Sequence, residues 1–293
     1  MTLKSCMIQK YTFSGHESFP CKTLWLKKGY DFVAQGKDFN KPEAVVHLGV
    51  GKNMVASIRY WLKAFGICEG NQLTWLGNYL FDDEKGKDPY IEDLATLWLL
   101  HFTLVFSQEA TLYHLFFCDY QKGHTQFERD QVVTCVKLEM IEASKQNLFN
   151  ENTVKKDVAV LIQNYTLPKK AQSNEDFSSM LIDLDLIRQN AEGKGYYFNI
   201  EGKRTVIKEI YMYALLMLKE REGDNTISYD TVQDEIGHAF CMQDHETIQM
   251  LKQLAKDYSS YMSYSDNAGI RIVQFTKDLD KEQVLNDYYE KDV

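Results

Sequence analysis

The stretch Gly49-Val50-Gly51-Lys52-Asn53-Met54-Val55-Ala56-Ser57-Ile58-Arg59-Tyr60-Trp61-Leu62-Lys63 decides the fold. At 100° per residue, Met54, Val55, Ile58, Trp61, Leu62 and Phe65 fall within about 60° of a common direction, which makes the dry stripe of an amphipathic helix. The other side carries Lys52, Asn53, Ala56, Arg59, Tyr60 and Lys63. Upstream, Pro42 is placed as a first helical residue, and residues 43–48 form a short helix that Gly49-Val50-Gly51 stops and turns. Downstream, Gly66 falls where a C-cap belongs, residues 67–73 read as two very short strands about a Gly70-Asn71 turn, and Thr74 caps a further helix over 75–81. Two helices meeting at a tight turn and followed by a hairpin predict a winged helix-turn-helix over residues 41–80.

A helix with a dry face and a basic, amide-bearing opposite face suits the DNA major groove. Lysine and arginine neutralise phosphates, Asn53 and Arg59 can hydrogen-bond base edges, and a small residue such as Ala56 allows close approach. The DNA-facing set read from this region is Lys22, Lys27, Lys28, Lys52, Asn53, Ser57, Arg59, Tyr60 and Lys63. The competing reading is that such a module only packs or dimerises.

The net charge of the 293-residue chain is -9, which by itself counts against nucleic acid. The distribution reverses that inference locally. Over residues 20–64, eight basic side chains (Lys22, Lys27, Lys28, Lys37, Lys41, Lys52, Arg59, Lys63) stand against three acids (Asp31, Asp38, Glu43). Over residues 219–257 four basic residues stand against nine acids, so that region reads as a protein-contact or homodimer surface. The length allows two or three domains. Six scattered cysteines without a Cys-x-x-Cys pair suggest neither zinc nor a disulfide scaffold. No signal peptide and no membrane-spanning apolar run are evident, so a cytoplasmic, nucleoid-associated protein with no membrane role is expected.

Chemistry-bearing residues cluster first in Thr12-Phe13-Ser14-Gly15-His16-Glu17-Ser18-Phe19-Pro20. His16 and Glu17 are adjacent, so only a loop can turn both to one site. An imidazole and a carboxylate there could hold a metal or move a proton. Alternatively, His16 buttresses the loop by satisfying backbone groups. Asp88-Pro89-Tyr90 starts a new element with Glu92 and Asp93 in its first turn, where the helix dipole favours negative charge; a divalent-metal pair is the other reading. Residues 91–106 are apolar nearly all round and form a central helix, and His101 within it reads as a buried, hydrogen-bonded histidine before it reads as a ligand.

Farther on, residues 127–148 read as one long amphipathic helix and 153–165 as another, resembling a second helix-turn-helix. Residues 168–177 read as a polar loop and 179–187 as a short helix. A strand over 196–200 then supplies a wing. Helices over 206–219, 229–236 and 246–258 and a hairpin of 261–264 with 270–275 repeat the winged-helix plan, ahead of a helix over 282–289.

The run Phe13-Ser14-Gly15-His16-Glu17-Ser18-Phe19-Pro20 followed by Trp25-Leu26-Lys27-Lys28-Gly29-Tyr30-Asp31 resembles the opening signature of a bacterial family catalogued as a domain of unknown function. Its members stand beside phosphosulfate-reductase-like genes in DNA phosphorothioation defence islands. Gly49-Val50-Gly51-Lys52-Asn53-Met54-Val55, Asp88-Pro89-Tyr90-Ile91-Glu92-Asp93 with Thr96-Leu97-Trp98-Leu99-Leu100-His101, and Leu285-Asn286-Asp287-Tyr288-Tyr289 extend the resemblance over nearly the whole chain. Lys22 stands where the resemblance leads one to expect arginine, and lysine lacks the two-bond fork that an arginine offers a phosphate.

The resemblance implies a DNA-nicking component of an anti-phage phosphorothioation system that works with a cysteine desulfurase, an ATPase and a sulfurtransferase-like protein. Metal-dependent nicking needs oxygen ligands for Mg²⁺ or Mn²⁺ and a base near an activated water. The catalytic candidates are His16, Glu17, Glu92, Asp93 and His101, and no nuclease motif joins them. The residues by themselves favour a non-catalytic winged-helix adaptor or transcriptional regulator that positions a sulfur-transfer enzyme on DNA. The expected fold class is mainly α with short β-hairpins, arranged as winged helix-turn-helix modules. The expected domains are a DNA-binding one at 1–85, a central helical one at 86–203 with a second winged helix, and a protein-contact one at 204–293.

Overall fold

The computed structural model describes residue 8 and residues 11–167, 179–267 and 269–291. The polar loop expected at 168–177 lies outside them, as does most of the segment before Tyr11. The chain is mainly helical with small antiparallel sheets. It divides into two compact units, the first drawn from residues up to Phe116 and His124–Phe198, the second from Phe117–Gly123 and from Asn199 onward. No described helix is long and apolar enough to cross a membrane.

The first unit opens with α1 (Trp25–Ala34), α2 (Ala44–Leu48) and α3 (Lys52–Ala64), the hairpin β1 (Cys68–Glu69) and β2 (Gln72–Leu73), and α4 (Trp75–Phe81). Local chemistry sets these boundaries. Gly49 takes φ +64° and closes α2, the left-handed position glycine fills without strain. Gly66, at φ +68°, ends α3 by donating its N–H to the Lys63 carbonyl at 3.0 Å. The Thr74 hydroxyl accepts the Gly77 N–H at 3.0 Å and caps α4. Val55, Ile58, Trp61, Leu62 and Phe65 are all buried, as the dry stripe predicts. A Cβ on Gly29 of α1 would come within 2.6 Å of Leu62, so this glycine sets how closely α1 and α3 pack.

Next comes α5 (Leu94–Phe106), followed by α6 (Thr111–His114), β3 (Gln126–Phe127), α8 (Arg129–Glu142), α9 (Glu151–Tyr165), β4 (Ile187–Gln189) and β5 (Tyr196–Phe198). The α5 helix begins three residues later than expected, because Asp88 accepts the Glu92 and Asp93 N–H groups at 2.9 and 3.0 Å and holds Ile91 at φ +57°. The single helix expected over 127–148 is three elements. Phe127 belongs to β3, a capping box between Glu128 and Gln131 starts α8, and Ser144 at φ +58° follows its end, ahead of a short 3₁₀ turn at Gln146–Leu148. The helix expected over 179–187 is a 3₁₀ turn, Met180–Leu184, which Asp185 ends at φ +49° before β4 begins.

The second unit holds α7 (Gln121–Gly123), α10 (Lys208–Glu222), β6 (Thr226–Ser228), α11 (Tyr229–Val232) running into a π-turn at Gln233–Gly237, α12 (Asp244–Asp257), β7 (Met262–Asn267), β8 (Ile270–Phe275) and α13 (Lys281–Tyr289). Each unit contains one three-stranded antiparallel sheet. The strand orders are β3-β5-β4 and β6-β8-β7. In both, one strand leads into two helices and a hairpin follows, with the last strand of the hairpin joining the first strand of the set.

Candidate functional site

The loop before α1 bends back on itself through left-handed backbone at Ser14 (φ +72°), Gly15 (+106°), Glu17 (+48°) and Ser18 (+64°). Non-glycine residues in this region carry strain that surrounding contacts must offset. The offset comes from His16, which is buried. Its ring lies parallel to Trp61 of α3 at 6.1 Å and meets the Tyr60 ring edge-on at 5.7 Å. Nδ1 of His16 accepts the Ser18 N–H at 3.1 Å, so the ring proton sits on Nε2 and is donated to Asp157 of α9 at 2.9 Å. The other Asp157 oxygen accepts the Ser14 N–H at 2.8 Å. Trp61 donates its indole N–H to the Phe19 carbonyl at 3.1 Å, and Cys21 N–H goes to Asn164 of α9 at 2.9 Å. The loop is thus a clip between α3 and α9. Both nitrogens of His16 are engaged in it, an arrangement that fits the buttress role.

Glu17 faces the other way, into solvent, at one edge of a groove of about 770 Å³ along the outer side of α3. Val55, Ala56 and Tyr60 of α3 line this groove together with Phe39, Pro42 and Val45. Cations stand around it at Lys41, Lys52, Arg59 and Lys63. Arg59 is held from two sides by neutral amides, donating to Asn40 Oδ1 at 2.9 Å and to Asn71 Oδ1 at 3.3 Å. Such partners fix the guanidinium plane without cancelling its charge. Lys63 differs, being paired with Glu109 at 2.8 Å. The Tyr60 hydroxyl is driven well above its ordinary pKa by burial and by the nearby Asp157 and Glu109 charges, so Tyr60 is a neutral wall.

The remaining predicted residues take other places. Ser57, read as DNA-facing, is fully buried on the core side of α3. Lys27 is also buried, its ammonium donating to Asp31, Asp83 and the Phe81 carbonyl at 2.6, 2.5 and 3.1 Å. Burial pulls its pKa down, the two carboxylates outweigh that, and the lysine stays charged but occupied. Lys28 is exposed and borders a separate depression with Lys37 and His47. Lys22 is partly exposed, and its backbone bridges to Ser179. Asn53 is exposed beside Lys52.

Among the catalytic candidates, His101 is buried with Nδ1 2.8 Å from the Tyr165 hydroxyl. Asp93 is the N-cap of α5, its carboxylate accepting the Ala95 N–H at 2.8 Å, and Glu92 is exposed just before it. No three of His16, Glu17, Glu92, Asp93 and His101 bring ligand atoms within 4.8 Å of one another. These five do not form a protein-only cage for Mg²⁺ or Mn²⁺, which demand converging oxygens. Two roles escaped the sequence reading. Asp157 sits between Val154, Val158 and Leu161 on the dry face of α9, and a lone acid in such a stripe signals a buried partner. Asn40 and Asn71 flank the predicted helix in turn positions and gave no signal of their own.

The fold and this face define a mainly helical protein with small antiparallel sheets and a cationic helix exposed beside an apolar-walled groove. The chain belongs to the family of proteins of unknown function DUF4007, whose model matches residues 13–289. It is similar to a crystal structure of SspB, at 27% sequence identity over 96% of this chain and 88% of that one, with a TM-score of 0.83. A crystal structure of SspB with magnesium bound is similar at 26% identity and the same coverage, with a TM-score of 0.81. No curated protein matches.

Proposed function

We propose that this chain is the DNA-contacting component of a phosphorothioation-based anti-phage system, and that the segment from α1 to β2 is a winged helix-turn-helix whose α3 enters the major groove. The observation that carries this is Arg59, an exposed arginine fixed by two amides and paired with no carboxylate among the described residues, beside Lys52 on the outer face of α3. Phosphate contacts from such a pair position a helix on a duplex, and Asn53 beside them supplies donor and acceptor to a base edge. The likeness to SspB and the family signature support the link to phosphorothioation. A cysteine desulfurase, an ATPase and a sulfurtransferase-like protein are then the expected partners. The recurring order of strand, two helices and hairpin in both units favours further winged-helix modules after the first, with the acidic one, over 204–293, as the protein-contact or homodimer surface.

Nicking of one strand belongs to the same proposal, with Glu17 as its candidate carboxylate. It shares the groove of α3 with the cations that would gather phosphate, whereas His101 is hydrogen-bonded to Tyr165 and Asp93 caps α5. The magnesium-bound SspB motivates Mg²⁺ as the ion to test. The test is incubation of the purified protein with supercoiled plasmid plus Mg²⁺, Mn²⁺ or chelator. Metal-dependent conversion to the open circle, absent in Glu17→Ala, is the expected result. A plasmid that is retarded but intact would leave the non-catalytic adaptor as the function.

A further inference from the structure

The groove beside α3 is more apolar than phosphate contact requires. Phe39, Pro42, Val45, Val55 and Tyr60 all line it, and Val45 is one-third exposed there. A duplex seated on this helix offers these side chains sugar, phosphate and base edges, none of them a flat apolar surface. The flat part of DNA is the face of a base, and that face reaches a protein groove only when the base leaves the stack. The volume of about 770 Å³ lies within the usual range for small-molecule clefts, roughly 300–1,000 Å³.

The walls are also preorganised. Tyr60 cannot swing away, because His16 and Trp61 meet its ring and Gly15 closes against it so tightly that a Cβ there would lie 2.6 Å from Tyr60 Cδ2. Phe39, which also lines the groove, is anchored by Phe32 at a ring separation of 4.6 Å. The rim carries Lys41, Lys52 and Arg59, and Glu17 is the acid that lines the groove with them. An apolar interior under a cationic rim is complementary to a single nucleotide, base inward and phosphates outward.

We infer that this groove receives a nucleotide drawn out of the duplex stack, so that the chain prefers DNA with an unpaired residue over the intact duplex. The inference rests on the reading of α3 as a DNA-contacting helix and names the form of DNA that face takes. In the bound state the base packs against the apolar lining that includes Phe39 and Tyr60, Lys52 and Arg59 hold the flanking phosphates, and Asn53 and Glu17 offer donors and acceptors to the base edge.

The test compares full-length protein binding to a short duplex and to the same duplex carrying one bulged 2-aminopurine, by anisotropy and by 2-aminopurine emission. One stacked base supports an expected preference of about 10-fold for the bulged DNA, with a change in emission on binding. Val45→Trp, a bulky replacement at an exposed position lining the groove, is expected to fill it and to erase both the preference for the bulged DNA and the emission change. Lys52→Ala with Arg59→Ala should weaken binding to both. Equal affinity for the two DNAs with unchanged emission would overturn the inference and leave the DNA-contact reading standing. Failure to bind either DNA overturns both.

Discussion

His16 and Asp157, 141 positions apart in the chain, meet at 2.9 Å in a buried pair that ties the N-terminal loop to α9. The relationship separates two side chains that sequence alone treats as one motif. His16 points inward and is saturated, while Glu17 points out into the groove. Losing a hydrogen bond to a buried charged group costs roughly 1.5–3 kcal/mol. His16→Ala should therefore lower the melting temperature by about 4 °C or more, whereas Glu17→Ala should leave it unchanged. Differential scanning calorimetry on the two variants decides the matter. Equal melting temperatures for His16→Ala and wild type would remove His16 from the scaffold and return it to the list of reactive groups.

The cations of α3 make a second, quantitative expectation. Each phosphate contact contributes about 0.9 to the salt slope of binding. Lys52→Ala with Arg59→Ala should reduce the slope by about 2 units when affinity is titrated against salt. Replacing Asn40 and Asn71 with alanine removes no charge, only the clamps on the Arg59 guanidinium. That double variant should bind several-fold more weakly with its slope unchanged. A slope that does not move in the Lys52, Arg59 variant would dismiss α3 as the DNA-facing helix.

The second unit carries a pH dependence of its own. His238 is held below its ordinary pKa chiefly by burial, with Lys122 acting in the same direction and Asp234, 3.7 Å away, opposing. A folded-state pKa below the unfolded one means that folding favours the neutral ring. The associated stability is present above the ordinary imidazole value of about 6.5 and is lost as pH falls through the lower folded value. Melting temperature should drop between pH 7.5 and pH 5, and His238→Gln should shrink that drop. Parallel wild-type and variant curves across this range would refute the assignment.

The elements around α3 were legible because their signals are local. Gly49 and Gly66 occupy left-handed positions that their sequence context requires, Thr74 caps the helix it precedes, and the stripe from Val55 to Phe65 is the buried one. The site was less legible because its parts come from distant positions. Nothing within 127–148 announces that Phe127 pairs with Tyr196 in a sheet, so that region read as one helix. Ser57 lies on the polar-looking flank of α3 yet is buried, because a serine says little about which way it faces. His16 displayed its chemistry but not its orientation, which Asp157 and Ser18 decide.

Gly15 offers a final test of how the loop and α3 depend on each other. Its φ of +106° disfavours any side chain, and an added Cβ would lie 2.6 Å from one Tyr60 ring carbon and 3.0 Å from another. Tyr60 has little room to yield, since His16 and Trp61 already meet its ring. Gly15→Ala must therefore strain the backbone or displace Tyr60, and an overpacked, strained position of this kind costs about 1–3 kcal/mol. The expected signs are a lower melting temperature and an altered emission from Trp61, whose indole is stacked in the same cluster. DNA affinity should fall in the same variant although no cation has been touched, because the groove wall beside Arg59 moves. Wild-type emission and wild-type affinity together in Gly15→Ala would show that the loop does not position α3.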